Sequence, residues 1–192
     1  MGISGASGAI YGIRFLELLR GLPGVESHLM VSAAAKRTIV EETDYAVHDV
    51  EALATRRYSN KDIGASLASG SFKTDGMVVV PCSIKTAAAI AHCLADTLIA
   101  RAADVTLKEG RPLILVVRET PLHLGHLRVL TALAEMGAVL LPPMPAFYNR
   151  PKQIDDLVTH TLARVLDRLG LPQALVPEWQ GMAARALPPE RA

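Results

Sequence analysis

The stretch Gly2-Ile3-Ser4-Gly5-Ala6-Ser7-Gly8 closes an apolar step and opens onto a run with helical spacing that starts at Ile10. A strand that turns through small residues straight into a helix is the first unit of an open α/β sheet. Small side chains let a ligand approach the backbone, and unpaired amides at the helix start favour an anion such as phosphate. The same glycines also suit simple strand–helix packing. The dinucleotide fingerprint G-x-G-x-x-G is not matched, because the glycines fall at 2, 5 and 8. Nor does an acid for a ribose hydroxyl end the second apolar run, where Ser32 stands. A mononucleotide fits this pattern better than a dinucleotide.

Working outward, short β-branched runs at 27–31, 76–80, 113–117 and 138–141 alternate with helical stretches. The helices are expected at 10–19, 33–42, 86–94, 97–108, 126–136 and 154–169. In the last, Ile154, Leu157, Val158, Thr161, Leu162, Val165 and Leu169 mark one face. Alternation of this kind predicts a doubly wound parallel sheet covered on both faces, an α/β fold in three layers. No repeat or linker divides the chain. We expect one domain, with an α/β core over 1–169 and an irregular, proline-containing arm over 170–192. The first strand of such a sheet is central, and Gly2-Ile3-Ser4 is short for it, so a few residues are expected to precede Met1.

The chain has 192 residues, enough for a sizeable core. Twenty basic residues nearly cancel nineteen acidic ones, which leaves no general field for nucleic acid or an anionic membrane. No apolar run reaches the length of a membrane span, and the first residues lack a signal-peptide pattern. Two cysteines, Cys82 and Cys93, make no disulfide framework. A soluble cytoplasmic protein is the plain expectation.

Three further segments carry polar groups where a parallel sheet places its ligands. Pro81-Cys82-Ser83-Ile84-Lys85-Thr86 follows the 76–80 strand and starts a helix, so its hydroxyls and amides suit a phosphate, ribose or ring edge. Ser83 can equally be a plain helix cap, and Cys82, with no base beside it, reads as a buried structural thiol. Arg118 and Glu119 end the 113–117 strand, at the edge where open α/β sheets bind ligands. Only eight aromatic residues occur, and Phe147, Tyr148 and Trp179 among them fall in the last quarter, outside the expected core elements. His123-Leu124-Gly125-His126 lacks a third ligand, so no metal site is expected.

Taken together these segments resemble the UbiX-type flavin prenyltransferases over almost the whole chain. The resemblance is carried by GISGASGAIYG at the start, EETD at 41–44, SGSF at 69–72 and PCSIKT at 81–86. RAADVTLKEGRPL from Arg101, RETPLHLGHL from Arg118, PPMPAFYNRP from Pro142 and the terminal Trp179 continue it. It implies a Rossmann-like, flavodoxin-related fold assembled as a homododecamer, with FMN bound where subunits meet. By position, Gly5, Ala6, Ser7, Ser32, Ser83, Ile84, Lys85, Thr86 and Arg118 match the family's FMN contacts. Tyr148 and Arg164 match its contacts to dimethylallyl phosphate, with Arg101, Lys108 and Glu119 as further charged groups there. Ser7, Glu42, Tyr148 and Trp179 match residues associated with the transfer chemistry.

The activity so implied is metal-independent transfer of a dimethylallyl group from dimethylallyl monophosphate to reduced FMN. The product, prenylated FMN, is implied to serve a UbiD-type decarboxylase in ubiquinone synthesis or aromatic-acid breakdown. An FMN-dependent cysteine decarboxylase of the same fold would need a His after the second strand and an Asn in the second polar cluster. Here those places read Ser32-Ala33-Ala34-Ala35 and PCSIKT. An aromatic-acid decarboxylase would need an acid site that the sequence does not offer. A flavin carrier would have no use for Glu42, Arg164 and Trp179.

Overall fold

The computed structural model describes residues 1–178 and 181. Its chain order is β1 (Gly2–Ile3), α1 (Ala9–Arg20), β2 (His28–Val31), α2 (Ala33–Glu42), α3 (Val47–Ala52) and β3 (Arg56–Ser59). There follow β4 (Met77–Cys82), α4 (Ile84–Ala91), α5 (Leu98–Lys108), β5 (Leu113–Val117), α6 (Leu124–Glu135), β6 (Val139–Leu140) and α7 (Ile154–Leu169). The six strands pair in the order β3-β2-β1-β4-β5-β6, all parallel. Strand order reverses between β1 and β4, the place where open α/β sheets bind ligands, outside the carboxyl ends of the strands.

Two apolar layers hold the helices to the sheet. Phe15, Leu19, Val158, Leu162 and Leu166 from α1 and α7 meet Val78, Val80, Ile114 and Val116 on one face. On the other, Ile90, Leu98, Ala103 and Leu133 from α4, α5 and α6 meet Met77, Val79, Leu113 and Leu115. Central strands β4 and β5 are buried throughout, which is why they read as unbroken apolar runs.

β5, α2 and α7 lie where the sequence predicts them, and most other boundaries move by one or two residues. The α4 helix differs more: it stops at Ala91, with His92 as its cap, and Cys93 takes a positive φ of 53°. The expected α7 face is buried at Val158, Thr161, Leu162 and Val165, with differences at its edges. Ile154 is 79% exposed, while Ala163 and Leu166 are buried instead. Ile154 is the first residue of α7, one turn before the helix meets the sheet at Val158.

β3 and α3 have no counterpart in the sequence reading. β3 is Arg-Arg-Tyr-Ser on the sheet edge and mostly exposed, so it shows no apolar run. α3 has only six residues and buries Val50 alone. Below β1, a cleft of about 560 Å³ lies at the amino ends of β2 and β4, lined by Met1, His28, Phe72, Met77 and Val78. Met1 is half-buried there; its ammonium bonds the His28 carbonyl at 2.6 Å, and desolvation pushes its pKa down to about 5.

Candidate active site

The β1–α1 turn is shaped by two glycines. A Cβ on Gly5 would lie 2.3 Å from the Ala34 Cβ, so only glycine lets the turn pass the start of α2. Gly8 has φ 94°, the left-handed conformation that glycine adopts without a steric cost. Ser4, 1% exposed, ties this turn to β4: its hydroxyl donates to the Pro81 carbonyl (3.0 Å) and accepts from the Ser83 amide (2.7 Å). Ser4 was missed by the sequence reading, because a serine between glycines looks like a spacer.

The first amides of α1 are not unpaired. Gly8 and Ala9 both donate to Glu42 Oε2, at 2.7 and 3.0 Å. The expected anion site at this helix start is therefore filled by a carboxylate of the same chain, from the last residue of α2. Burial pushes the Glu42 pKa up, but hydrogen bonds from the Ser7 hydroxyl and the Ala9 and Gly8 amides outweigh it, helped by the Arg118 charge. The carboxyl group is held below its ordinary range, and Glu42 is ionised at neutral pH.

This cluster brings together Ser7, Glu42 and Arg118, which lie far apart in sequence. Arg118 follows β5, and its amide donates to the Cys82 carbonyl at 3.0 Å, just past a shift of register between Val79 and Cys82. Register shifts of this kind re-aim side chains and recur beside active sites.

Ser32 and Ser83 are helix caps, accepting from the Ala35 amide at 3.0 Å and the Thr86 amide at 3.3 Å. The Ser83 hydroxyl also donates to Thr86 Oγ1 at 3.1 Å. With exposed Gly5 and Lys85, buried Ala6 and half-buried Ile84, they line the carboxyl edge on both sides of the switch point. Amides at the start of α2 and α4, backed by Ser and Thr hydroxyls, suit an anionic phosphate with polar ribityl oxygens. Burial pushes the Cys82 thiol up to about 12, which matches a structural residue.

A second group lies at the far side, beyond β6. Tyr148 and His160 share a hydrogen bond of 3.1 Å between the phenol oxygen and Nε2. Arg164, one turn along α7 from His160, pairs with Asp167 at 2.7 Å. His160 and Arg164 line a cavity of about 200 Å³ with Leu141, Pro142 and Met144. His160 carries no motif signal, since a polar residue on a helix reads as solvated.

Other expected site residues stand apart. Glu119 turns back onto its own loop, accepting from the Thr120 amide at 3.2 Å. Arg101 donates to the Ala68 carbonyl at 3.1 Å and pairs with Asp104 at 2.7 Å. Lys108 pairs with Glu109 at 2.5 Å. It ends α5, which starts beside Asn60 at the carboxyl edge and descends eleven residues, roughly 15 Å at the usual rise per residue. Lys108 thus lies at the amino edge of the sheet, opposite Arg118. Trp179 lies outside the described residues. Among the described residues, no three His, Cys, Asp or Glu side chains group as metal ligands, and no helix is long and apolar enough to cross a membrane.

Hydroxyls, helix amides and an arginine gather at the switch point, groups that suit a flavin nucleotide, and residues 1–166 match the Flavoprotein family model. Flavin prenyltransferase UbiX of Escherichia coli K12 is 56% identical over 183 residues, 94% of this chain and 97% of the relative. The solved dodecameric FMN-dependent UbiX-like decarboxylase from Escherichia coli O157:H7 superposes with a TM-score of 0.92 at 52% identity, covering 94% of this chain and 97% of that one. AnUbiX, solved in complex with FMN and dimethylallyl pyrophosphate, gives a TM-score of 0.92 at 46% identity over 95% of this chain and 96% of its own. The chain belongs to the UbiX family of flavin prenyltransferases.

Proposed function

We propose that this enzyme transfers the dimethylallyl group of dimethylallyl monophosphate to reduced FMN and releases prenylated FMN and phosphate. The observation that carries the reading is the Ser7–Glu42–Arg118 cluster at the switch point, an ionised carboxylate held beside a hydroxyl and a guanidinium. Ser32, Ser83 and Thr86 would hold the flavin's phosphate and ribityl oxygens, with Ile84 and Lys85 flanking them and Arg118 supplying positive charge. Reduced FMN supplies the electron-rich nitrogen N5 and the neighbouring ring carbon to which the five-carbon group becomes attached, closing a fourth ring.

The chain's own residues then divide the work. Arg164 and the Tyr148 phenol stabilise the phosphate as its bond to the allylic carbon breaks. In an assembly, Arg101, Lys108 and Glu119 of a neighbouring copy add to that charged surround. Tyr148 and Trp179 face the cationic allyl fragment through their rings. Glu42, already ionised, accepts the proton lost on ring closure, and the Ser7 hydroxyl relays it.

The reading includes a homododecamer, since the similar Escherichia coli O157:H7 protein is dodecameric. It also includes delivery of the product to a UbiD-type decarboxylase, which accounts for the decarboxylase name of that relative. Work in the cytoplasm suits two free cysteines, one of them exposed. The test is anaerobic incubation with FMN, a reductant and dimethylallyl monophosphate, followed by mass spectrometry of the released flavin. A flavin heavier by one prenyl unit supports the reading. Unmodified FMN on folded protein overturns it.

A further inference from the structure

The end of α5 is closed by a left-handed turn. Gly110 takes φ 65°, its amide donates to the Leu107 carbonyl and the Arg111 amide to the Thr106 carbonyl, the pattern of a Schellman cap. The cap turns Arg111 back across the helix end, where its guanidinium meets the segment 68–74 that leads to β4. Arg111 Nη1 donates to the Phe72 carbonyl at 3.0 Å and to the Thr74 hydroxyl oxygen at 3.4 Å. Its Nη2 donates to the Gly70 carbonyl at 2.8 Å. Arg101, earlier in α5, holds the Ala68 carbonyl. Three alternate carbonyls are thus tied to arginines, while the intervening Ser69 and Ser71 are exposed.

Gly70 is where this clamped segment meets Lys108. A Cβ there would collide with the Glu109 carboxylate and lie 2.9 Å from Lys108 Nζ, so any side chain would push that ion pair aside. The Lys108 hydrogen bond and charge hold the Glu109 carboxyl below its ordinary range, and the Arg111 charge adds to this. Arg111 has no part in the transfer chemistry described above.

We propose that Arg111 is a positioning residue: its fork on the Gly70 and Phe72 carbonyls seats the 68–74 segment against Lys108 and fixes where that ammonium stands toward the phosphate of the allyl donor. This rests on the reading of Lys108 as a charged group beside the phosphate held by a neighbouring copy. Arg111 acts through the segment and Lys108, not by contact with the donor.

Arg111 could act through its fork or through its charge alone, and lysine separates the two, because it keeps the charge but lacks the planar fork. Steady-state kinetics of the assembled enzyme with saturating reduced FMN would be measured for Arg111→Met, Arg111→Lys, Gly70→Ala, Lys108→Met and the Arg111→Met/Lys108→Met pair. FMN retention and melting temperature are recorded for each. The KM for dimethylallyl monophosphate should rise about fivefold to tenfold in Arg111→Met, the size of a weakened charge-assisted hydrogen bond. Arg111→Lys should lie within about twofold of Arg111→Met. Gly70→Ala should raise KM by a similar factor, because it displaces the ammonium while leaving the guanidinium in place. In the Lys108→Met background, Arg111→Met should add less than about twofold, because the group it positions is gone.

An unchanged KM in Arg111→Met, or a full additional rise in the double variant, overturns the Arg111 role while leaving Lys108 in place. Recovery of the parent KM in Arg111→Lys also overturns it, since charge then suffices without the fork. If Lys108→Met itself leaves KM unchanged, the phosphate reading of Lys108 falls, and the Arg111 role falls with it. Should Arg111→Met fail to fold or to retain FMN, Gly70→Ala decides: a raised KM supports the role, whereas an unchanged KM overturns it. Failure of both variants to fold overturns it too, because the segment is then a folding element.

Discussion

Glu42 and Gly8, thirty-four residues apart, are joined by a 2.7 Å hydrogen bond from the Gly8 amide to the Glu42 carboxylate, which makes the end of α2 the cap of α1. A side chain that holds the Gly5–Gly8 turn and is proposed to take a proton has two separable roles. Glu42→Gln keeps a hydrogen-bond acceptor but loses the charge. Turnover should fall about 10²-fold or more, in the range of general-base contributions, while FMN binding persists. Turnover near that of the parent, measured as prenylated flavin formed per minute, removes Glu42 from proton transfer.

The same carboxylate makes stability depend on acid. Its folded-state pKa lies below the ordinary 4.5, so folding is favoured by its ionised form. That contribution is complete above the unfolded value and is lost as pH falls through the lower folded value. The melting-temperature gap between parent and Glu42→Gln should therefore be largest near neutrality and shrink between about pH 5 and pH 3. A gap independent of pH contradicts the assignment.

Ser4 tests the seam between β1 and β4. Ser4→Ala removes two hydrogen bonds at a buried position and leaves the Ser83 amide unpaired, which should cost about 1–3 kcal/mol. Denaturant titration gives the value directly. A loss within error of zero would mean that the seam is held by the surrounding ladder alone.

Arg164 lies on the exposed side of α7 and, among the described residues, pairs with neighbouring Asp167, a contact of little stabilising value. Arg164→Ala should leave melting nearly unchanged and raise the KM for dimethylallyl monophosphate roughly tenfold or more, as expected for a lost charge-assisted contact. A large fall in melting temperature with unaltered KM would make it a structural residue.

The two cysteines should differ in reactivity. The Cys82 thiol, pushed up to about 12 by burial, has almost no thiolate at pH 8, whereas Cys93 is exposed. Native protein treated with iodoacetamide should gain one adduct by mass, and denatured protein two. Two adducts on native protein would show that β4 opens readily at Cys82.

Sequence made the sheet legible where burial is two-sided. Leu113–Val117 and the α2 span are read correctly because apolar runs and helical spacing are strong signals. It left β3 unseen, because Arg56 and Arg57 at a sheet edge show no apolar pattern. At the site, a serine cap announces itself by position, as Ser32 and Ser83 do. The meeting of Ser7, Glu42 and Arg118 is a product of the fold: Arg118 stands out by its place at a strand end and Ser7 by its loop, whereas resemblance alone points to Glu42. Nothing local marks His160, whose meaning comes from a tyrosine twelve residues earlier.

The descent of α5 to the amino edge has a genetic consequence. If Lys108 serves a phosphate held near Arg164 and Arg118, it serves one held by another copy, because its own chain carries it away. Two inactive alleles, one changed at Lys108 and one at Glu42, should then restore part of each other's activity when co-expressed. Some mixed assemblies would assemble an intact centre from two damaged polypeptides. A single damaged allele, conversely, should lower the output only by its share of the subunits, because each subunit supplies each residue to one centre. The heritable unit of catalysis in this fold is then a junction between chains, and its mutations should complement one another across alleles.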